Sequence, residues 1–385
     1  MNNISSSDFN TIYPRINSWV LSNGTESESR NGKVKKVREF VTRLSEPERN
    51  LVGGWGRRIN PFFLFVEAVW IWLGRQDVAP LIPFNSRMAD YSDDGRIFHA
   101  PYGHRLRVAF GEDQFNSAIE MLSSDSSTRR VVMQIWDARL DLGSGVKDIP
   151  CNDTIAVCID EEDKLRFSIF NRSNDLHWGL PTNVYQFSFI GKLIANCLGI
   201  EYGHQTHFSN DLHIYLDNPL VEGIEKNYND WEGMFSGFES IYEFCQPIDI
   251  KFDFQLEPLA NLNLVDSTLK HYFSFIEKGA DCATFINILK HPPYINNGFI
   301  FMVASCLFYI ETKSLEQPYE NKESQNIYNL KNLISLSEHY KQSYTDFSLL
   351  TVNFFASRLR DKTVLPSILR EYGCDEEVKQ YIGYL

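Results

Sequence analysis

The run Asn171-Arg-Ser-Asn-Asp-Leu-His-Trp-Gly-Leu-Pro-Thr-Asn183 decides the reading of this chain, together with Ile149-Pro-Cys-Asn152 shortly before it. Residues 165–170 lead into the run as an apolar, β-branched stretch, and residues 183–198 lead out of it as a long apolar one. The first has the pattern of a strand and the second that of a helix. A thiolate is a strong nucleophile only where a cation or donor lowers its pKa. Arg172 offers the cation, while Ser173, Asn174, Asp175 and Asn183 offer donors and acceptors suited to a polar heterocycle. Cys151 would in most proteins be a small buried hydrophobe. Its place after Pro150, ahead of one strand and with Arg172 on the next, favours a nucleophile.

Length and composition suit a globular enzyme. The chain has 385 residues, 43% apolar and 14% aromatic, enough to fill the core of one large domain or two. A net charge of −13 argues against a polyanion-binding surface, so no nucleic-acid partner is expected, although a local basic pocket is allowed. The seven cysteines, at 151, 158, 197, 245, 282, 306 and 374, form no CxxC pair and read as reduced thiols in a cytosol-like compartment. No metal site is expected from them. Neither a signal peptide nor a membrane span is expected, since the longest apolar runs, 61–73 and 298–310, are too short to cross a bilayer. The expected address is the cytoplasm.

Residues 1–12, rich in Ser and Asn, read as a frayed terminus. A helix is expected at 12–21, stopped by Asn23-Gly24, followed by a polar loop over 22–34. Residues 61–73 are apolar on most sides and predict a buried helix carrying one carboxylate, Glu67. Residues 91–97 read as a turn. Strands are expected at 131–136, 154–160 and 165–170, with a short one at 213–215. Beyond 218 the character changes. Residues 247–256 alternate as a further strand, and the rest reads as helical, with Asp266 as an N-cap candidate and Lys278-Gly279 as a stop. Residues 327–334 form a helical stripe and 347–359 another helix. Residues 1–256 therefore read as an α+β domain, and 257–385 as a helical C-terminal extension.

Between residues 12 and 218 these fragments resemble, in order, the thymidylate synthase family. Cys151 is similar to the family's nucleophile, and Tyr102 in Ala100-Pro-Tyr-Gly-His-Arg105 to the tyrosine beside it. Glu67, in Glu67-Ala-Val-Trp-Ile-Trp-Leu-Gly74, resembles the glutamate that organises waters removing the pyrimidine C5 proton. A carboxylate in so apolar a segment is expensive unless hydrogen-bonded or functional. Arg30, which alone would be a solvated loop residue, corresponds to an arginine that binds the nucleotide phosphate. Arg129 and Arg130, ordinarily a solvated strand edge, correspond to a pair reaching across the dimer to the partner's phosphate. With Arg172 these would be four cations on one dianion. Ser173 belongs to the same nucleotide-binding motif. His213 and Tyr215, which alternate on one strand and could be core, match the pair that holds the sugar 3′-hydroxyl. Asn183 matches the amide that accepts from uracil N3–H and donates to O4. Asp175, Gly179 and Asn85 fall at folate-binding positions.

The resemblance implies one large, bent mixed sheet with flanking helices, dimerising through the sheet. It implies addition of the thiolate to C6 of dUMP and transfer of a one-carbon unit from 5,10-methylenetetrahydrofolate to C5. Hydride then gives methyl, whereas capture of water gives hydroxymethyl. Three departures bear on that second step. Asn152 follows the nucleophile where the common synthases have His. Asn85-Ser-Arg-Met-Ala-Asp90 replaces a tryptophan-bearing segment. The long extension replaces a short closing tail. Thymidylate synthesis is the first expectation, a dUMP (or related pyrimidine) hydroxymethylase the second, and a non-catalytic nucleotide-binding or interaction protein the third.

Overall fold

Strands β1 (Asn2–Ser6), β2 (Thr25–Ser29), β3 (Gly32–Leu44), β4 (Val131–Gln134), β5 (Asn152–Ile159), β6 (Lys164–Asn171), β7 (Asn174–Asp175) and β8 (Glu201–Tyr215) share one mixed sheet. The structure is a computed structural model that describes residues 2–29, 31–53, 59–224, 240–243, 245–252, 256–288, 294–314, 322–343 and 345–359. The strand order is β1-β3-β8-β6-β5-β4, with β2 bonded to β3 and β7 to β8 off this path. β1 runs parallel to β3, and β6 and β7 run parallel to β8; the remaining pairs are antiparallel. This is the expected α+β sheet. The β3–β8 ladder has one local break: pairing passes from Arg38↔Asp211 to Phe40↔Ser209, and the skipped Glu39 has φ 52°. A non-glycine residue in that region marks a local irregularity of the ladder.

The inner face follows from alternation along the strands. Ile155, Val157, Leu165, Phe167 and Ile169 are buried, while Phe170 on the outer face is 38% exposed and stacks on Phe208 at 4.8 Å. Helix α1 (Phe9–Asn23) covers part of the inner face, started by Asp8, whose Oδ1 accepts from Thr11 N at 2.8 Å. Helix α2 (Pro61–Trp72) and helix α4 (Leu180–Leu198) form the central layer, with α3 (Gln114–Ser124) beside them. Proline lies in the first turn of both α2 and α4, where its missing N–H costs nothing.

Helices α5 (Pro258–Glu277), α6 (Cys282–Ile288), α7 (Asn297–Ser314), α8 (Lys322–His339) and α9 (Asp346–Ala356) complete the order. They explain why α2 is apolar all round. Phe62 stacks on Tyr309 with ring centroids 4.5 Å apart, and Phe65 meets Phe299 and Phe347 edge-on. Polar ties accompany the aromatic packing: Trp72 Nε1 donates to Asp266 Oδ1 at 2.8 Å, and Arg107 forks between Asp113 and Asp266. Asp346 is fully buried and accepts from Ile248 N and the Tyr242 hydroxyl, each at 2.8 Å; burial pushes its carboxyl up to about 7.

Several local expectations are corrected. The first dozen residues hold β1 and the start of α1, and the polar stretch 22–34 is a hairpin of β2 and β3 rather than a loop. The strand at 213–215 is the end of β8, a 15-residue strand. Among the described residues 247–256 form no strand, only an isolated bridge of Phe252 to Ile295. Asp266 lies inside α5, engaged by Trp72 and Arg107, and caps nothing. No helix among the described residues is long and apolar enough to cross a membrane.

Candidate active site

Cys151 sits immediately before β5, and the β5–β6 pairing delivers Arg172 to it. The Arg172 backbone N donates to Cys151 O at 3.0 Å, and Nη2 lies 3.8 Å from Sγ. The same guanidinium donates to Pro150 O at 2.8 Å and Ile149 O at 3.1 Å, so it also shapes the turn that carries the thiol. Burial pushes the Cys151 thiol above its ordinary value; Arg172 pulls it down, and Asp148, Asp153 and Asp175 push it up further. Asp153 is itself raised to about 6, chiefly by burial. Burial and the nearby carboxylates thus disfavour the Cys151 anion, with one cation, Arg172, placed to offset them.

Helix α4 runs from the surroundings of the thiol to Glu67. Asn183 and Gln186, three residues apart, lie on one helical face. Asn183 Oδ1 accepts from Asn152 Nδ2 at 3.2 Å, beside Cys151, while Gln186 Nε2 donates to Glu67 Oε2 at 2.5 Å. Burial pushes the Glu67 carboxyl up to about 8, and the Gln186 bond offsets this only in part, so Glu67 is protonated at neutral pH. A buried acid near neutrality can hold or pass a proton. Tyr102 is also close to Cys151. Burial raises its hydroxyl far above the ordinary range, against the lowering effect of hydrogen bonds from Asn152 and the Cys151 backbone. The turn holding it is pressed onto α2, since a Cβ on Gly103 would lie 2.0 Å from Ile71 O.

Other expected residues gather along β7 and β8. Asp175 pairs with His213 across the ladder, and its Oδ1 accepts from the backbone of His177 at 2.7 Å and Trp178 at 3.2 Å. Those bonds fold the loop so that the Trp178 indole is 51% exposed. Gly179 closes it: a Cβ there would come within 3.1 Å of Asp175 O. His213 Nδ1 lies 3.2 Å from Asp211 Oδ1, and Tyr215 accepts from Asn31 Nδ2 at 3.4 Å, beside the tip of the β2–β3 hairpin. Arg30 lies outside the described residues. Ser173 is half-buried between Arg172 and Asn174. Arg129 and Arg130 are exposed ahead of β4, form no ion pair among the described residues, and are not brought to Cys151 of their own chain. Asn85 is half-buried, its Oδ1 accepting from Arg87 N.

Sequence reasoning overlooked Gln186 and Asn171. Asn171 donates to Asn152 Oδ1, so three buried carboxamides, Asn171, Asn152 and Asn183, form a continuous ladder beside the thiol. Gln186 had a signal, being a polar residue in an apolar helix three positions from Asn183. Among the described residues no group of His, Cys, Asp or Glu is arranged to hold a metal. A cleft of about 850 Å³, bordered by Glu48, Lys164, Lys192 and His204, contains none of these site residues.

A family model described as thymidylate synthase matches residues 11–232, which include every site residue named above. The chain is 33% identical over 318 residues to the deoxyuridylate hydroxymethyltransferase of Bacillus phage SP01, covering 76% of this chain and 82% of that protein. It is 39% identical over 194 residues to the deoxyuridylate hydroxymethyltransferase of Pseudomonas phage M6, covering 50% and 55%. To the thymidylate synthase of Bacillus licheniformis it is 31% identical over 174 residues, covering 42% and 61%. With a thiol, an arginine and a buried acid arranged on the expected sheet and helix, and with more than half of its length matching, the chain belongs to the thymidylate synthase family.

Proposed function

We propose that this protein transfers a one-carbon unit from methylenetetrahydrofolate to C5 of dUMP through a covalent adduct at Cys151, and that water completes the reaction to give 5-hydroxymethyl-dUMP. The one-carbon transfer rests on family membership and on Arg172 lying 3.8 Å from the Cys151 sulfur. The hydroxymethyl product rests on the extent of the match to the phage SP01 protein. At 76% of this chain, that match is too long for residues 1–256 alone and runs into the helical extension. We take residues 1–256 as the catalytic part and 257–385 as an extension that packs its helices on α2 and α4.

Cys151 Sγ adds to C6 as the proton leaves, and Arg172 stabilises the anion that attacks. C5 then acts as the carbon nucleophile toward the one-carbon unit; tetrahydrofolate departs with loss of the C5 proton, water adds to the exocyclic methylene, and Cys151 leaves C6 as its thiolate. Glu67, steadied by Gln186, titrates close enough to neutrality that its carboxylate fraction can accept the C5 proton through water. Asn183 reads uracil, His213 and Tyr215 hold the sugar, and Arg30, Arg172 and Ser173 take the phosphate with Arg129 and Arg130 of a second subunit. A homodimer formed through the outer sheet face would cover Phe170 and Phe208, and it would turn the exposed arginines to use. Asp175 beside an exposed indole, Trp178, suits a flat heterocycle with N–H donors, so the folate fits there, with Gly179 and Asn85 bordering it. Bound there, the folate supplies the one-carbon unit. A polar Asn85 can retain a water that a bulky aromatic would displace. Six free thiols among the described residues suit a reducing, cytoplasmic compartment.

Incubation with dUMP and methylenetetrahydrofolate, followed by mass analysis of the nucleotide, tests this reading. Addition of hydroxymethyl without the absorbance rise of dihydrofolate is expected. Formation of dTMP with stoichiometric dihydrofolate would reinstate thymidylate synthesis. Absence of any product would leave a nucleotide-binding protein.

A further inference from the structure

The three-carboxamide ladder is the most unusual polar feature of the site. Asn171, Asn152 and Asn183 are 2%, 0% and 6% exposed, on β6, β5 and α4 respectively. Asn171 Nδ2 donates to Asn152 Oδ1, and Asn152 Nδ2 donates to Asn183 Oδ1 at 3.2 Å. Asn152 also hydrogen-bonds the Tyr102 hydroxyl. A carboxamide has a donor end and an acceptor end of nearly equal shape, so sterics alone cannot decide which way it points. The neighbour's hydrogen bond decides it.

We propose that Asn152 is a positioning residue that sets base specificity by holding the Asn183 carboxamide in a single orientation. The proposal rests on the reading of Asn183 as the residue that meets the pyrimidine. With Asn152 donating, Asn183 Oδ1 is pinned on the β5 side, keeping one lone pair free, and its NH₂ is turned the other way. That order, acceptor then donor, complements uracil, which presents N3–H and then O4. Rotating the same carboxamide by half a turn would offer donor then acceptor, the complement of cytosine. Asn171 completes the device by occupying Asn152 Oδ1, which keeps the Asn152 NH₂ aimed at Asn183 and Tyr102. Base choice thus depends on a side chain that need not touch the base.

An isosteric change reverses the pin. In Asn152→Asp the introduced carboxylate still accepts from Asn171 but has no hydrogen for Asn183 Oδ1, so Asn183 gains by turning its NH₂ toward it. A new anion beside Cys151 also disfavours the thiolate and slows reaction with either base, so binding rather than turnover is the proper measure. Equilibrium binding of dUMP and dCMP is therefore measured in a Cys151→Ser background, with thermal unfolding as the control for folding. The parent should prefer dUMP. Asn152→Asp should lower the dUMP-to-dCMP affinity ratio at least about 100-fold, because a mismatched carboxamide leaves buried groups unpaired. Asn152→Ala and Asn171→Ala, which loosen the pin without reversing it, should lower the ratio about 10-fold without inversion. Any of the three that folds yet keeps the parent ratio within about threefold overturns the proposal. A parent that binds dCMP as tightly as dUMP, or binds neither, instead overturns the reading of Asn183 itself.

Discussion

Replacing Arg172 by Gln removes the cation beside the Cys151 thiol while keeping a side chain that can still donate to the turn. At 3.8 Å, one unit charge stabilises another by about 4 kcal/mol at the effective dielectric of a protein near its surface, and by about 1 kcal/mol in bulk water. The thiolate population of Cys151 should then fall by between roughly 6-fold and 1000-fold. A more basic thiolate is also intrinsically faster, which restores about half of that loss on a logarithmic scale. For this half-buried pair the net slowing should be about 10-fold. The measurement is the second-order rate of alkylation of the free enzyme by iodoacetamide, with peptide mapping to separate Cys151 from the half-exposed Cys158. Arg172→Lys, which keeps the charge but loses the fork onto Pro150 O and Ile149 O, should react at an intermediate rate. Asp153→Asn should react faster than wild type, because Asp153 pushes the thiol upward. An Arg172→Gln protein alkylated as fast as wild type would refute this account of the thiol.

Cys151→Ser should abolish turnover yet retain dUMP binding, and 5-fluoro-dUMP should form its adduct in wild type at Cys151 alone; an adduct on Cys158 would discard the mechanism. Mixing inactive Cys151→Ser and Arg130→Ala subunits should restore part of the activity, since one hybrid site carries neither lesion, and no recovery after verified subunit exchange would rule out a shared site. Gly103→Ala should lower kcat more than about 10-fold, because the new methyl cannot coexist with Ile71 O at 2.0 Å and Tyr102 must move; unchanged kcat would show that Tyr102 needs no such support. Folding raises the Asp346 carboxyl from 3.8 to about 7, so its contribution is greatest at acid pH and is lost as pH rises toward about 7. Unfolding free energy should therefore carry a limb on the order of 4 kcal/mol over that range, and Asp346→Asn should flatten it.

The site was more legible in the sequence than the sheet that holds it. Cys151, Arg172 and Asn183 lie in short motifs whose polar character stands out against apolar strands. β2 was hidden because Thr25-Glu-Ser-Glu-Ser29 has almost no strand-forming side chains and is held by its pairing to β3. β8 was seen only at its end because Gly203, His204, Gln205 and His207 break the apolar pattern; Gln205 and His207 are buried and bonded to each other at 2.9 Å. Burial of this kind depends on partners distant in the chain, which periodicity does not report. Asn152 was visible only as a departure from the family, because its neighbours Asn171 and Asn183 reach it from other elements.

The aromatic ring of contacts around α2 has a consequence for how the protein is made. Phe62 and Phe65 leave the ribosome long before Phe299, Tyr309, Phe347 and Phe354, which cover them in the finished fold. During synthesis the helix bearing Glu67 must wait, uncovered and strongly apolar, until the chain has emerged as far as Phe354. Such a delay exposes the nascent chain to aggregation. A prematurely terminated product would then be a hazard to the cell that makes it, rather than a smaller working enzyme.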